Sequence, residues 1–207
     1  MSVTVIKHPL IQTRLTLMRK SDTTSANFRQ ALEEISSLMV YEVTRNFPTT
    51  EIEIETPISK TKSRVLVDEK ICFVAILRAG LGMISGALKM FPNARVGIIG
   101  MYRDEKTLQP VEYYSKLPAD ITSSRVFIVD PMLATGGSAV DAINLLKKNS
   151  VKNMTLISLL SAPEGIKKVE IDHPDVDIFT TSIDEGLNST AYIIPGLGDA
   201  GDRIFNT

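Results

Sequence analysis

The sequence has no tryptophan, one cysteine and two histidines in 207 residues. The lone Cys72 excludes an internal disulfide and fits a reducing cytoplasm. His8 and His173 are too few for a histidine-based metal site, so no dedicated metal ligand is assigned. An excess of charge is missing too. The 23 basic and 24 acidic residues leave a formal net charge of −1, which calls for neither nucleic acid nor an anionic membrane. No apolar run is long enough to span a bilayer, and MSVTVIKHPLIQ carries no signal-peptide pattern. Without a repeat, a low-complexity tract or a Pro/Gly-rich linker, residues 1–207 read as a single domain. There is no GxxxxGK[ST] phosphate loop and no GxSxG nucleophile elbow.

What remains is an ordinary globular composition, 43% apolar and 23% charged. Phe28, Leu32, Ile35, Met39 and Val43 recur at helical spacing, with Pro48 past the end. Glu51 to Glu55 alternates as a half-exposed strand would. From about residue 65 the rhythm is strand, helix, strand. Strands are predicted at 71–77, 95–100, 125–129, 154–160 and 178–182, and helices at 81–91, 137–149 and 164–170. That alternation implies an α/β fold with a mainly parallel sheet flanked by helices, and ligands beyond the carboxyl ends of its strands.

The most informative run is VFIVDPMLATGGS, Val126 to Ser138. An apolar strand ends on Asp130, and Thr135, Gly136, Gly137 and Ser138 then open a helix. Small residues let backbone N–H groups approach a ligand, and a helix N-terminus favours an anion. An acid followed by such a cradle suits a ribose carrying a 5′-phosphate. The plainer alternative is a strand–loop–helix turn capped by Thr135 or Ser138.

Arg78, in ILRAGLGM, and Arg103 stand at the ends of neighbouring predicted strands. Guanidinium forks there suit phosphate or pyrophosphate. Gly80-x-Gly82 before a helix also imitates a dinucleotide-binding turn, but its third glycine, Gly86, falls one place late. Gly196, Gly198 and Gly201 spell GxGxxG, yet only six residues follow. Residues 104–118 are either a lid or a solvated hairpin. Cys72 and His173 read as structural.

DPMLATGGS resembles the PRPP-binding signature of the phosphoribosyltransferase superfamily, in the form carried by the uracil phosphoribosyltransferase family. The likeness also covers HPLIQ, FRQALEEI, TPI, ILRAGLGM, VEYYSKLP, APEG, HPDV and the tail YIIPGLGDAGDRIFNT. Thr13 replaces a histidine of that pattern, Ala75 a proline and Asn206 a glycine; asparagine tolerates the positive φ such a glycine adopts.

The resemblance implies a type I phosphoribosyltransferase-like core with N-terminal helices and a C-terminal base-binding segment. It implies conversion of uracil and PRPP to UMP and pyrophosphate in pyrimidine salvage. Arg78, Arg103 and Asp130 would be the catalytic residues, the arginines on pyrophosphate. PRPP would also meet Pro131, Met132, Leu133, Ala134, Thr135, Gly136, Gly137, Ser138 and Asp199. Uracil would meet Ile193, Gly198, Asp199 and Ala200. Mg2+ would arrive as Mg-PRPP, GTP is a candidate effector, and a cytoplasmic homo-oligomer is expected. Two other readings stay open: an RNA-binding pyrimidine regulator on the same fold, and a nicotinamide-dependent enzyme.

Overall fold

The computed structural model describes residues 1–67, 70–103 and 110–207. In chain order the first half forms β1 (Val3–Val5), α1 (Pro9–Arg19), α2 (Ser25–Val43), β2 (Thr49–Glu55), β3 (Lys60–Leu66), β4 (Ile71–Leu77), α3 (Leu81–Met90) and β5 (Arg95–Arg103). There follow β6 (Pro110–Lys116), β7 (Arg125–Val129), β8 (Met132–Leu133), α4 (Gly137–Lys148), β9 (Met154–Ser161) and α5 (Pro163–Asp172). The chain closes with β10 (Asp177–Ile183), β11 (Gly186–Leu187), β12 (Ile193–Ile194) and α6 (Ala200–Phe205).

The apolar runs become the middle of one sheet, ordered β1-β10-β9-β7-β4-β5-β6, with β8 paired to β9. Among the described residues every pairing in this sheet is parallel except β5 with β6. The α/β expectation therefore holds. Strand alternation then decides the layering. Phe73, Ala75, Phe127 and Val129 face a core shared with α1, α2, α3 and α6. Cys72, Val74, Ile76, Val126 and Ile128 face the other core, built on Val140, Ile143 and Leu146 of α4 and Val169 of α5.

Predicted and observed elements agree closely where burial is complete: β4 and β7 span the expected residues. Two expectations change. Residues 51–55 belong to β2, but among the described residues its only partner is β3 and nearly every position of the pair is exposed, so this is a protruding two-stranded arm rather than a half-buried strand. The 104–118 segment is described only from residue 110, where β6 adds an antiparallel edge to β5; residues 104–109 lie outside the described residues. Among the described residues no helix is long and apolar enough to cross a membrane.

Cys72 and His173 take structural places. Burial pushes the Cys72 thiol up to about 11, away from thiolate chemistry. His173 is buried, with Nε2 3.2 Å from the Val140 carbonyl and Nδ1 3.2 Å from Lys147 Nζ.

Candidate active site

Three neighbouring strands bring the expected residues to one edge of the sheet. β4 stands between β7 and β5, so Arg78, Arg103 and Asp130 share the carboxyl edge. Arg103 is the last residue of β5; its side chain lies outside the described features.

Asp130 follows β7, with its N–H donating to the Ile157 carbonyl at 3.2 Å. Its carboxylate accepts from the Met132 N–H at 3.4 Å. The chain does not turn at once into a helix. It first runs beside β9 as β8, fixed by Leu160 N–H to Pro131 O at 2.9 Å and Ala162 N–H to Leu133 O at 2.8 Å. Pro131 and Leu133 are thereby buried, and their side chains belong to the packing.

The turn itself is Thr135–Gly137. Gly136 adopts φ +81° and sits against α5, where an added Cβ would lie 2.8 Å from the Gly165 carbonyl. Helix α4 starts at Gly137, as the glycines suggest, with no side-chain bond from its cap residue. Thr135 Oγ1 accepts from the Gly137 N–H at 3.4 Å, a weak local tie that leaves the helix start suited to an anion.

Arg78 follows a cis Leu77–Arg78 peptide bond. Its Nη2 lies 3.2 Å from Asp202 Oδ1 on α6, and its guanidinium stands 5.8 Å from the Phe205 ring centroid. Gly80 lets this turn press onto β7, since a Cβ there would lie 2.5 Å from the Val129 carbonyl.

The tail is more structured than a glycine-rich turn. β11 and β12 form a small hairpin, a cis Ile194–Pro195 bond follows, and Gly196 and Gly198 take φ of +60° and +81°. Asp199 then caps α6 through a 2.9 Å bond from the Asp202 N–H. Asn206 ends that helix at φ 60°, as its replacement of glycine requires. In the hairpin the Tyr192 and Ile194 carbonyls accept from Asn188 and Glu185. Alternation therefore turns the N–H and C=O of Ile193 away from β11.

Asp130, Met132 and Ala134 meet Ile193, Gly198, Asp199 and Ala200 around one cavity of about 350 Å³. Burial, assisted by the nearby Asp199 charge, pushes the Asp130 carboxyl up to about 7 despite the Met132 bond. Arg78, Pro131, Leu133 and Thr135–Ser138 stand beside this cavity rather than on its wall. Ala79, Thr190, Ala191, Tyr192 and Gly201 also line it and were not expected. Ala191 holds φ 65° in the hairpin turn, where Asn188 Oδ1 accepts from Thr190 and Tyr192; an Asn-led turn before a short apolar pair was the only signal available.

A mainly parallel α/β sheet flanked by helices, with an acid and a helix-opening glycine turn at its carboxyl edge and tail residues across one cavity, fits the phosphoribosyltransferase class. The uracil phosphoribosyltransferase family model matches residues 5–207, and the chain belongs to that family. A uracil phosphoribosyltransferase from Clostridium tetani is 60% identical over 99% of this chain and 98% of its own. One from Streptococcus mutans is 56% identical over 98% of this chain and 97% of its own. A solved protein from Aquifex aeolicus superposes with a TM-score of 0.91 at 41% identity, covering 98% and 97% of the two chains. Neither the dinucleotide reading nor the RNA-binding regulator gains support from these relatives.

Proposed function

We propose that this chain joins uracil to the ribose C1 of PRPP, giving UMP and pyrophosphate. The observation that carries the reading is the shared cavity, with Asp130 on one side and Ile193 and Gly198–Ala200 on the other. Asp130 accepts hydrogen bonds from the ribose hydroxyls, and its charge lies near the C1 that becomes oxocarbenium-like as pyrophosphate leaves. Residues 131–138 hold the 5′-phosphate, with backbone N–H groups of Thr135–Ser138 as the donors. Arg78 and Arg103 hold the pyrophosphate. Uracil is read by backbone groups of Ile193, Gly198 and Ala200, with Asp199 at the boundary between base and sugar. The protein supplies position and electrostatics rather than a covalent partner.

Magnesium belongs to the substrate in this reading. The two carboxylates facing the cavity, Asp130 and Asp199, are hard oxygen groups of the kind that suit a magnesium-bound phosphate ester. A cytoplasmic setting is supported by the single, buried cysteine. A homo-oligomer is supported by the protruding β2–β3 arm, which exposes Ile52, Ile58, Val65 and Leu66; sedimentation of the purified protein tests it. GTP as an effector rests on the family likeness and is tested by its effect on initial rate.

The deciding experiment incubates the protein with PRPP, magnesium and each nucleobase in turn and follows the monophosphate. UMP from uracil alone supports the reading. No product, or a purine nucleotide, overturns it.

A further inference from the structure

Two arginines grip the loop that leads into the base wall, and neither lines the cavity. Arg19, the last residue of α1, spreads its guanidinium over three partners. Nη1 donates to Asp184 Oδ2 at 2.7 Å and to the Gly196 carbonyl at 2.7 Å. Nη2 donates to Asp184 Oδ1 at 2.6 Å and to Ser182 Oγ at 3.3 Å. Asp184, only 8% exposed, also accepts from Ser182 Oγ at 2.7 Å and from the Gly196 N–H at 3.0 Å. The pair therefore engages both backbone groups of Gly196. That residue holds φ +60° directly against the Ile193 carbonyl, so a side chain there would strike the strand end that faces the cavity.

The other grip runs in the opposite direction. Arg203 of α6 donates to the Leu197 carbonyl at 2.9 Å, to Lys20 O at 2.6 Å and to Met18 O. The last turn of α1 thus supplies one arginine and receives the other, with Gly196 and Leu197 between them. Only the Asp184 end of this ion pair is buried, and replacing even a buried pair with apolar residues is often no loss to stability, so this elaboration around one glycine points to another reason.

We infer that Arg19 and Asp184 are positioning residues for uracil recognition: by fixing both backbone groups of Gly196, they set the conformation in which residues 193–200 face the base. This rests on the reading of 193–200 as the base site. Neither residue lines the cavity, and their hydrogen bonds run to Ser182 and Gly196 and to each other rather than to Thr135–Ser138, so their influence should fall on the base and spare PRPP. Burial opposes charge on Asp184, but its bonds from Arg19 and Ser182 and the Arg19 charge hold its carboxyl below the ordinary range, which keeps the clamp intact at working pH.

The test is steady-state kinetics on Arg19→Ala, Arg19→Lys, Asp184→Asn and Ser182→Ala, with Ala200→Val as a probe of the base wall itself. Arg19→Ala should raise the uracil KM about tenfold and weaken discrimination against cytosine, with the PRPP KM held within about twofold, as for a reading group displaced by a fraction of an ångström. Arg19→Lys should recover part of the loss, since an ammonium can reach one partner but not the fork. Should Arg19→Ala and Asp184→Asn fail to fold, Arg19→Lys and Ser182→Ala carry the same comparison. Unchanged uracil KM in the folded variants, or an equal rise in both KM values, overturns the inference. If Ala200→Val alone raises the uracil KM, the base site stands and the positioning role falls. If Ala200→Val leaves uracil untouched, the base-site reading fails and takes the inference with it.

Discussion

At the scale of single residues, Asp130 sits where its charge is costly. It is half-buried at a strand tip and faces Asp199 across the cavity, and its carboxyl is pushed from 3.8 up to about 7. An acid raised in this way stabilises the folded chain fully only below its unfolded value, and that stability is lost as pH rises through the folded value. The ligand-free Asp130→Asn variant should therefore gain on the parent between about pH 4 and pH 7, by up to about 4 kcal/mol. Thermal unfolding of both proteins across that range is the check, and a constant difference would contradict it. Activity should move the other way. Losing a charge-assisted hydrogen bond to the ribose costs roughly 1.5–3 kcal/mol, so turnover should fall at least tenfold in a folded protein. Asp130 was legible in the sequence because an acid ending an apolar run is a local signal. Arg19 and Asp184 were not: a charge at a helix end and another past a strand look solvated until the fold brings 165 positions of sequence separation down to a hydrogen bond.

At the scale of elements, the strands β4 and β7 could be read because burial on both faces leaves an apolar run, and β9 because its run is interrupted only by Thr155 and Ser158 before the closing Ser161. β1, β8, β11 and β12 were missed for the converse reason. Two or three residues give no periodicity, and their pairing depends on distant partners. β8 matters most, since it carries the chain between Asp130 and the cradle along β9 and up against α5. Gly165 in the first turn of α5 makes that approach feasible; a Cβ there would lie 2.5 Å from the Ala134 carbonyl and 2.8 Å from that of Leu133. Both obstacles are backbone and cannot swing aside. Gly165→Ala should cost about 1–3 kcal/mol of stability and push the cradle outward. We expect a lower melting temperature and a PRPP KM raised more than the uracil KM. Melting curves and separate substrate titrations would show it, and equal effects on both substrates would mean that α5 does not support the cradle.

At the scale of the whole molecule, the site joins the middle of the chain to its end, with the N-terminal helix as the brace. Asp130 past β7, with Met132 and Ala134, lines one side of the cavity, the proposed sugar side, while Ile193 of β12 and Asp199–Gly201 at the start of α6 line the other, the proposed base side. The tail resembled a dinucleotide turn only as a string of glycines. Its positive-φ glycines instead bend the chain from the hairpin into a short helix, while strand alternation leaves the Ile193 N–H and C=O turned from their own hairpin. Backbone groups are fixed in donor and acceptor sense, and that makes base choice testable. Uracil offers O4 as an acceptor and N3–H as a donor, whereas cytosine offers an amino donor at C4 and a lone pair at N3. Against the same backbone both contacts reverse, leaving groups buried without partners, a situation in which enzymes reject analogues by about 10⁴ or more. Fluorine at C5 leaves that edge unchanged, so 5-fluorouracil should be accepted at a rate close to that of uracil. Competition between the three bases for a limiting amount of PRPP measures both ratios in one experiment. Efficient use of cytosine would show that the tail does not read the base, and that selection lies instead with side chains such as Thr190 and Tyr192 on the same wall.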